Sequence, residues 1–217
     1  MLADRENQVQ ERVLAEKFIA VAGNMGVGKT TLVEYITSRY PITPVYEPFQ
    51  ENPYLEPFYK DMKTWSFKSQ IWFLSHKFRL HQDLQSNPNP LIQDRTIYED
   101  AEIFATMLHK SRHMSKDDYN TYMELYRAMK RSLQPPDLLI YLRCGVRTIR
   151  KRIKQRGRPA EQEIPTRYLR NLNKLYEEWV AGFTAAPVLI WDTEKLDYLG
   201  DLVDRIEFNE AIEEILS

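Results

Sequence analysis

Short apolar runs alternate with longer amphipathic stretches along most of this chain. The apolar runs span four or five residues, as expected of strands buried on both faces of a parallel sheet. Between them, apolar residues recur three and four positions apart, which indicates helices. Strands are predicted at Phe18–Ala22, Thr43–Tyr46, Pro90–Gln93, Leu138–Leu142 and Val188–Trp191. Helices are predicted at Thr30–Arg39, Pro53–Met62, Trp65–Gln85, Asp100–His109, Lys116–Leu133, Val146–Arg156, Thr166–Ala181 and Gly200–Ile215.

The alternation of strand and helix predicts an α/β domain built on a five-stranded parallel sheet with helices on its faces. A polar lead-in, residues 1–16, precedes the first strand, and residues 17–217 are expected to form a single domain. In such a sheet the loops at the carboxyl ends of the strands form the functional site.

The first predicted strand runs into a glycine-rich loop and then a helix, with the pattern G-x-x-x-x-G-K-T. Glycines let the backbone approach phosphate oxygens closely, and the helix N-terminus favours an anion. In such loops the lysine binds the β- and γ-phosphates and the hydroxyl that follows is placed to bind Mg²⁺. The sequence therefore predicts binding of a nucleoside triphosphate with Mg²⁺. The loop comprises Gly23, Asn24, Met25, Gly26, Val27, Gly28, Lys29, Thr30 and Thr31.

Charge and composition narrow the class of protein. The chain has 30 basic and 31 acidic residues, so it lacks the excess of positive charge expected of a protein that binds a nucleic-acid polymer. Its one cysteine, Cys144, fits the reducing cytosol better than a disulfide framework. No apolar run approaches the roughly 20 residues that a membrane-spanning helix needs. We expect a cytoplasmic protein with neither a membrane nor a nucleic-acid partner.

Charged residues follow the second and third predicted strands. Glu47 follows the second, and the sequence Asp94-Arg95-Thr96 follows the third. Both groups would converge on the phosphate loop in a parallel sheet. Glu47 can also be an ordinary turn acid, and Asp94-Arg95 a solvated turn pair. Their positions after buried strands favour a role in the site.

A dense basic run extends through the helix after the fourth strand. It fits a lid, about residues 152–163, whose guanidinium groups fold over phosphate, although it also fits the solvent face of a helix. The four histidines show no metal-ligand spacing, and Cys144 is better explained as a small residue at a strand end. The run contains Arg147, Arg150, Lys151, Arg152, Lys154, Arg156 and Arg158.

Taken together, these motifs resemble the deoxynucleoside kinase family, and within it the bacterial deoxyadenosine/deoxyguanosine kinases. The resemblance extends from Phe18 to about Trp191 and rests on the order and spacing of short motifs. It implies a P-loop kinase fold and transfer of a phosphoryl group from ATP to the 5′-hydroxyl of a deoxynucleoside. Beside the phosphate loop, the motifs are Tyr46-Glu47-Pro48, Glu51-Asn52-Pro53-Tyr54-Leu55, Trp65-Ser66-Phe67-x-x-Gln70, Asp94-Arg95-Thr96 and Arg156-Gly157-Arg158.

The resemblance implies a role for each catalytic position. Glu47 falls on the family's general base, which takes the proton of the 5′-hydroxyl. Asp94 would hold Mg²⁺ opposite Thr30, while Arg95 would bind near the 5′-oxygen and orient Glu47. The lid arginines that clamp the phosphates fall on Arg152, Arg156 and Arg158.

For the nucleoside, the resemblance implies that Tyr59 and Glu161 hold the 3′-hydroxyl, Gln70 reads the base and Phe104 stacks on it. Lys77 and Asp100 fall where purine- and cytosine-accepting members carry an arginine and an aspartate. Lysine cannot form the planar two-point contact of arginine, so this position departs from the family pattern. Ser69 departs too, since several relatives have an aromatic residue there. The expected substrate is deoxyadenosine first, with deoxyguanosine and deoxycytidine as further candidates.

Two other functions compete with this interpretation. A thymidylate-kinase-like enzyme shares the phosphate loop, but an acid at Glu47 would repel an acceptor phosphate. A nucleotide-dependent switch would need no acceptor residues. The family's members are usually homodimers that pair through two long helices, here Trp65–Gln85 and Lys116–Leu133. Their apolar residues fit core or interface equally well: Ile71, Trp72, Leu74, Phe78, Tyr122, Leu125 and Met129.

Overall fold

Five parallel strands form one sheet in the computed structural model, which describes residues 17–46, 51–85, 89–194, 200 and 202–216. The strand order is β2-β3-β1-β4-β5, so the first strand lies at the centre. The strands are β1 (Phe18–Ala22), β2 (Thr43–Val45), β3 (Leu91–Asp94), β4 (Leu138–Arg143) and β5 (Val188–Asp192). Each prediction of a strand is confirmed to within one residue at either end.

Helices connect the strands and cover both faces of the sheet. They are α1 (Lys29–Arg39), α2 (Leu55–Lys60), α3 (Met62–Gln85), α5 (Lys116–Lys130), α6 (Val146–Arg156), α7 (Pro159–Gln162), α8 (Thr166–Ala181) and α9 (Leu202–Leu216). The helix α4 has three consecutive segments, Ile97–Glu99, Asp100–Ala105 and Thr106–Lys110.

The alternating side chains of the central strand divide the core into two layers. Ile19 and Val21 pack with apolar residues of α1, α6 and α9. Ala20 and Ala22 face the opposite layer, which is built from α3, α4, α5 and α8. All four side chains are fully buried, which explains why the strand is a continuous apolar run.

The middle segment of α4 differs from the sequence prediction of a regular helix over Asp100–His109. Asp100–Ala105 is a π-helix, in which the hydrogen bonds span five residues instead of four. The hydroxyl of Thr106 donates to the carbonyl of Ala101, five positions back, at 3.2 Å. Such wide turns are frequent at functional sites, and this one carries Asp100 and Phe104.

The parallel register brings the ends of β1 and β3 together at the carboxyl edge of the sheet. Val21 is paired with Asp94, and the amide of Arg95 donates to the carbonyl of Val21 at 3.0 Å. The glycine-rich loop and the Asp94-Arg95 turn are therefore direct neighbours. None of the described helices is long and apolar enough to cross a membrane.

Candidate active site

The glycine-rich loop has a backbone that only glycine adopts without strain at three positions. Gly23, Gly26 and Gly28 have φ values of 145°, 73° and 112°. A Cβ on Gly23 would lie 2.8 Å from the backbone oxygen of Leu142. Lys29 reaches back across the loop, where its Nζ donates to the carbonyls of Gly23 and Asn24 at 3.0 and 3.2 Å. The lysine ammonium thus lies at the loop that would receive the phosphates.

Two side chains fix the outer part of this loop. Asn24 donates to the carbonyl of Leu169 at 3.0 Å and to Oδ1 of Asn173 at 2.5 Å, so that the loop is tied to α8. Arg152 donates to the carbonyl of Val27 at 2.7 Å and to both oxygens of Thr193 at 3.0 Å. Arg152 therefore braces the loop against the end of β5 and does not line the main cavity.

Thr30 and Asp94, the two predicted Mg²⁺ ligands, lie in direct contact. The Thr30 hydroxyl donates to Oδ2 of Asp94 at 2.8 Å. The other carboxylate oxygen, Oδ1, is buried without a hydrogen-bond partner among the described residues. A hydroxyl beside a carboxylate with spare acceptor capacity fits Mg²⁺, which takes few protein oxygens and completes its shell with water and phosphate. No cluster of three or more His, Cys, Asp or Glu side chains able to hold a metal occurs within the described ranges.

Arg95 has a rare backbone conformation, and its side chain packs on Phe104. Its φ of 64° lies in the left-handed region, which non-glycine residues rarely adopt outside functional or strained sites. Its guanidinium lies 4.5 Å from the centre of the Phe104 ring, within the range of a cation–π interaction. This packing directs the positive charge into the cavity beside Phe104.

A cavity of about 250 Å³ opens between the phosphate loop, α2, α3, α4 and the α6–α7 segment. It contains most of the residues predicted to bind substrate or phosphate, and Tyr46 and Tyr168 complete its wall. Lys77 and Arg152 do not line it. The predicted residues that line it are Met25, Gly26, Lys29, Thr30, Tyr59, Gln70, Asp94, Arg95, Asp100, Phe104, Arg156, Arg158 and Glu161.

Polar groups of α3 and α4 close the inner end of the cavity. Oε1 of Gln70 is buried without a hydrogen-bond partner in the described part of the chain. Asp100 also lines the cavity, whereas Lys77 is only 1% exposed and lies behind it. The Lys77 ammonium donates to Oδ1 of Asp100 at 2.9 Å, so the lysine holds the carboxylate in place and does not face the cavity itself. Ser69 lines the same end and accepts from the Asn52 amide at 3.1 Å.

The basic run of α6 divides between two sides of the molecule. Arg156 and Arg158 line the cavity and both contact the carboxylate of Glu161 on α7. Four others line a separate outer groove, where they lie on the solvent side as the alternative interpretation of the run had proposed. These are Arg147, Arg150, Lys151 and Lys154.

Glu47, the predicted base, lies outside the described residues. The chain reaches the cavity wall at Tyr46, directly before it.

Sequence reasoning missed two residues of the site, the fully buried Glu99 and the partly buried Tyr168. Glu99 has no exposed surface and lies next to Gly23 and Arg95. Burial raises the pKa of its carboxyl, while the charges of Arg95, Lys29 and Lys77 act in the opposite direction. The spacing of Thr96 and Glu99 is that of a helix capping box, which predicts a helix start but no contact with the phosphate loop. Tyr168 lines the cavity, burial raises its pKa, and no sequence signal pointed to it.

The parallel sheet, the phosphate loop and the acceptor cavity beside it define a P-loop kinase. A strand–loop–helix phosphate cradle lies against an Asp-Arg turn, and the adjoining cavity has polar groups at its far end and arginines at its entrance.

Comparison with known proteins identifies the family. The sequence model of the family described as deoxynucleoside kinase matches residues 19–217. The deoxyadenosine/deoxycytidine kinase of Bacillus subtilis is 40% identical over 205 residues, covering 91% of this chain and 94% of that one. The deoxyguanosine kinase of the same organism is 32% identical and covers 74% of this chain and 76% of its own length.

Solved structures agree with this assignment. The deoxyadenosine kinase of M. mycoides, with the products dCMP and a flexible dCDP bound, superposes with a TM-score of 0.78 at 34% identity. That match covers 89% of this chain and 97% of the other. The same enzyme with dATP bound gives the same values. This chain belongs to the deoxynucleoside kinase family and is a phosphotransferase.

Proposed function

We propose that this enzyme phosphorylates the 5′-hydroxyl of deoxyadenosine first and deoxycytidine second, with deoxyguanosine and thymidine as poor substrates. The observation that carries the base preference is the position of Lys77. Its ammonium is buried and donates to Asp100, and Asp100 lines the cavity while Lys77 does not, so the base would meet the carboxylate and not the cation.

An ionised carboxylate accepts hydrogen bonds and cannot donate them. Adenine and cytosine carry an exocyclic amino group that can donate to Asp100, whereas guanine and thymine present a carbonyl oxygen at the corresponding position. Gln70 supplies a second acceptor in Oε1, together with amide donors for a ring nitrogen. A base that places its carbonyl against Asp100 leaves two acceptors facing each other, which is costly in a buried site.

Two relatives support deoxyadenosine and deoxycytidine as substrates. The Bacillus subtilis protein with 40% identity is a deoxyadenosine/deoxycytidine kinase. The M. mycoides deoxyadenosine kinase has been solved with dCMP as a product.

On the acceptor side, Glu47 is our proposed general base for the 5′-hydroxyl. The resemblance of Tyr46-Glu47-Pro48 to the family motif supports it, as does the position of Tyr46 on the cavity wall. Arg95, held over Phe104, would bind the acceptor oxygen and neutralise charge that develops there. Tyr59 and Glu161 would hold the sugar 3′-hydroxyl, since both line the cavity.

On the donor side, the loop amides and Lys29 would bind the phosphates of ATP. Thr30 and Asp94 would hold Mg²⁺, which would neutralise negative charge on the phosphates. Arg156 and Arg158 would stabilise the transferring phosphoryl group from the other side of the cavity.

The test is a set of initial rates with Mg·ATP and each of five acceptors: deoxyadenosine, deoxycytidine, deoxyguanosine, thymidine and thymidine monophosphate. We expect deoxyadenosine to give the highest kcat/KM and deoxycytidine the next. Rates led by deoxyguanosine or thymidine would contradict the proposed base reading. Rates led by the monophosphate would also contradict the proposed role of Glu47.

We further propose that the enzyme is a homodimer in the reducing cytosol. The helices α3 and α5 pack against each other and carry partly exposed apolar residues, which supports the homodimer. The single cysteine, Cys144, is a buried free thiol, which supports the reducing compartment.

A further inference from the structure

Glu99 joins the two halves of the phosphoryl-transfer site. Its Oε1 accepts from the Gly23 amide at 3.3 Å and its Oε2 accepts from the Thr96 amide at 3.0 Å. Gly23 begins the phosphate loop, and Thr96 ends the Asp94-Arg95-Thr96 turn. One carboxylate therefore spans the donor and acceptor sides of the site.

Two further groups hold this carboxylate. The Tyr176 hydroxyl on α8 donates to Oε1 at 2.8 Å. The Arg95 Nε lies 4.0 Å from the same oxygen, as an ion pair. With no surface exposed to water, Glu99 has exchanged its hydration for these contacts, and Arg95 is held where its strained backbone places it.

Burial of a carboxylate is costly unless the charge is paired and hydrogen-bonded. A helix cap alone does not need a buried charge, since an exposed glutamate can cap a helix equally well. The features specific to Glu99 are its contacts with the loop and with Arg95, both of which concern the reacting groups.

We propose that Glu99 is a positioning residue, which keeps the phosphate loop and the Arg95 turn in the mutual alignment that phosphoryl transfer requires. It touches neither ATP nor nucleoside in this proposal and acts through Gly23, Thr96 and Arg95. The proposal rests on the kinase activity proposed above but not on which base is preferred.

Alignment affects the transfer step more than the binding of either substrate alone. ATP binds the loop and the nucleoside binds the cavity, and each site remains largely intact if their relative position shifts by a fraction of an ångström. Transfer across a misaligned pair slows steeply, because a displacement of about 1 Å can cost roughly 10²-fold in rate. A lowered kcat with nearly unchanged binding constants is therefore the expected signature.

The experiment compares wild type with Glu99→Gln. Glutamine has nearly the same shape as glutamate. Both oxygens of Glu99 accept hydrogen bonds, so the NH₂ group of glutamine would face a donor in either orientation, namely the Thr96 amide or the donors at Oε1. The ion pair with Arg95 is also lost. We expect kcat to fall by about 10²-fold. The dissociation constants of ATP and of deoxyadenosine, each measured alone by calorimetry, should stay within about threefold, since neither touches Glu99.

Glu102→Gln is the matched control. Glu102 lies on the same helix and accepts from Tyr126, from Lys130 at 2.9 Å and from the Trp179 indole at 2.7 Å, away from the cavity. Its kcat should equal that of wild type. A loss of kcat as large as that of Glu99→Gln would show a general effect of removing a hydrogen-bonded carboxylate from α4 and would overturn the proposal.

Tyr176→Phe tests the proposal should Glu99→Gln fail to fold. It removes one donor to Oε1 and keeps the charge, so we expect a smaller fall in kcat, about 3- to 10-fold, again with both binding constants retained. An unchanged kcat in this variant, or a parallel loss of kcat and of both affinities in either variant, would overturn the proposal. Each variant's kcat and dissociation constants are divided by the wild-type values for the same substrate. If the proposed base preference is wrong, the wild-type ranking of substrates changes, but these ratios still test the role of Glu99.

Discussion

Three carboxylates at the carboxyl edge of the sheet have different surroundings and therefore different proposed roles. Asp94 keeps one oxygen without a partner among the described residues, next to the Thr30 hydroxyl. Glu99 is surrounded by donors and has no exposed surface. Asp100 is paired with a buried ammonium on one side and faces the cavity on the other. These differences in burial and partners support the proposed roles of Asp94 in metal binding, of Glu99 in positioning and of Asp100 in base reading.

Asp94→Asn tests the proposed metal site. An amide has only one acceptor oxygen and no charge, so it binds Mg²⁺ weakly. We expect the Mg²⁺ concentration that gives half-maximal rate to rise at least about tenfold, with a lower kcat at saturation. The measurement is the rate at fixed ATP as free Mg²⁺ is varied.

Asp137→Asn is the control for this metal-site test. Asp137 also accepts one hydrogen bond, from the Phe18 amide at 2.7 Å, but lies at the opposite edge of the sheet. Its Mg²⁺ dependence should match that of wild type. An unchanged dependence in Asp94→Asn would remove Asp94 from the metal site.

At the scale of elements, the sequence predicted the sheet well and the helix α4 less well. Buried parallel strands are short, continuous apolar runs, and these can be recognised without knowledge of their neighbours. The π-helical turn of α4 has no such local pattern. The contact between Glu99 and Gly23 joins residues 76 positions apart, and it exists only because β1 and β3 are neighbours.

For the basic run too, the sequence predicts which residues cluster along the helix but not which part of the molecule each side chain contacts. The sequence predicted a cluster of arginines, and an amphipathic helix divides such a cluster between two faces. Arg156 and Arg158 lie in the cavity, Arg152 supports the loop, and the rest line the outer groove. Lys77 was likewise predicted at the base, but its direction behind Asp100 follows from the packing of α3 on α4.

The glycine-rich loop gives a prediction about stability. Ala at Gly28 would meet no atom within 4 Å, so it should cost only the strain of a positive φ, about 1–2 kcal/mol. Ala at Gly23 would also place its Cβ 2.8 Å from the Leu142 backbone oxygen, and overpacking of this kind adds about 1–3 kcal/mol. Gly23→Ala should therefore lose more free energy of unfolding than Gly28→Ala in urea titrations. Equal losses would contradict the close packing of the loop on β4.

At the scale of the whole molecule, the proposed dimer depends on one face of α3 and α5. Leu74 and Tyr122 are buried in the core. The sequence had left these two residues open between core and interface, and the structure assigns both to the core. Leu125 is 40% exposed, and Ile71, Trp72, Phe78 and Met129 are partly buried. This partly exposed apolar face is what a second copy would cover.

Leu125→Glu tests that dimer face. A charge at the centre of an apolar interface would remain desolvated without a partner, so the dimer should dissociate. We expect light scattering to give the mass of two chains for wild type and of one chain for the variant. Leu202→Glu, at a leucine 65% exposed on α9, should stay dimeric. A monomeric wild type, or dissociation by Leu202→Glu alone, would contradict the proposed interface.

Asp100, held by Lys77, is proposed to select bases that carry an amino group where guanine and thymine carry a carbonyl oxygen, at position 6 of a purine or position 4 of a pyrimidine. The most direct measurement is the ratio of kcat/KM for deoxyadenosine to that for deoxyguanosine, in wild type and in Asp100→Asn. Lys77→Met/Asp100→Asn is the companion variant, since it removes the buried ammonium that the single change would leave without its carboxylate.

We predict a wild-type ratio of roughly 10- to 100-fold in favour of deoxyadenosine, because a good base contact discriminates by about 1–3 kcal/mol. An asparagine amide can donate to the guanine oxygen, so the ratio should move towards one in both variants. A wild-type ratio near one, or an unchanged ratio in the variants, would show that Asp100 does not read the base.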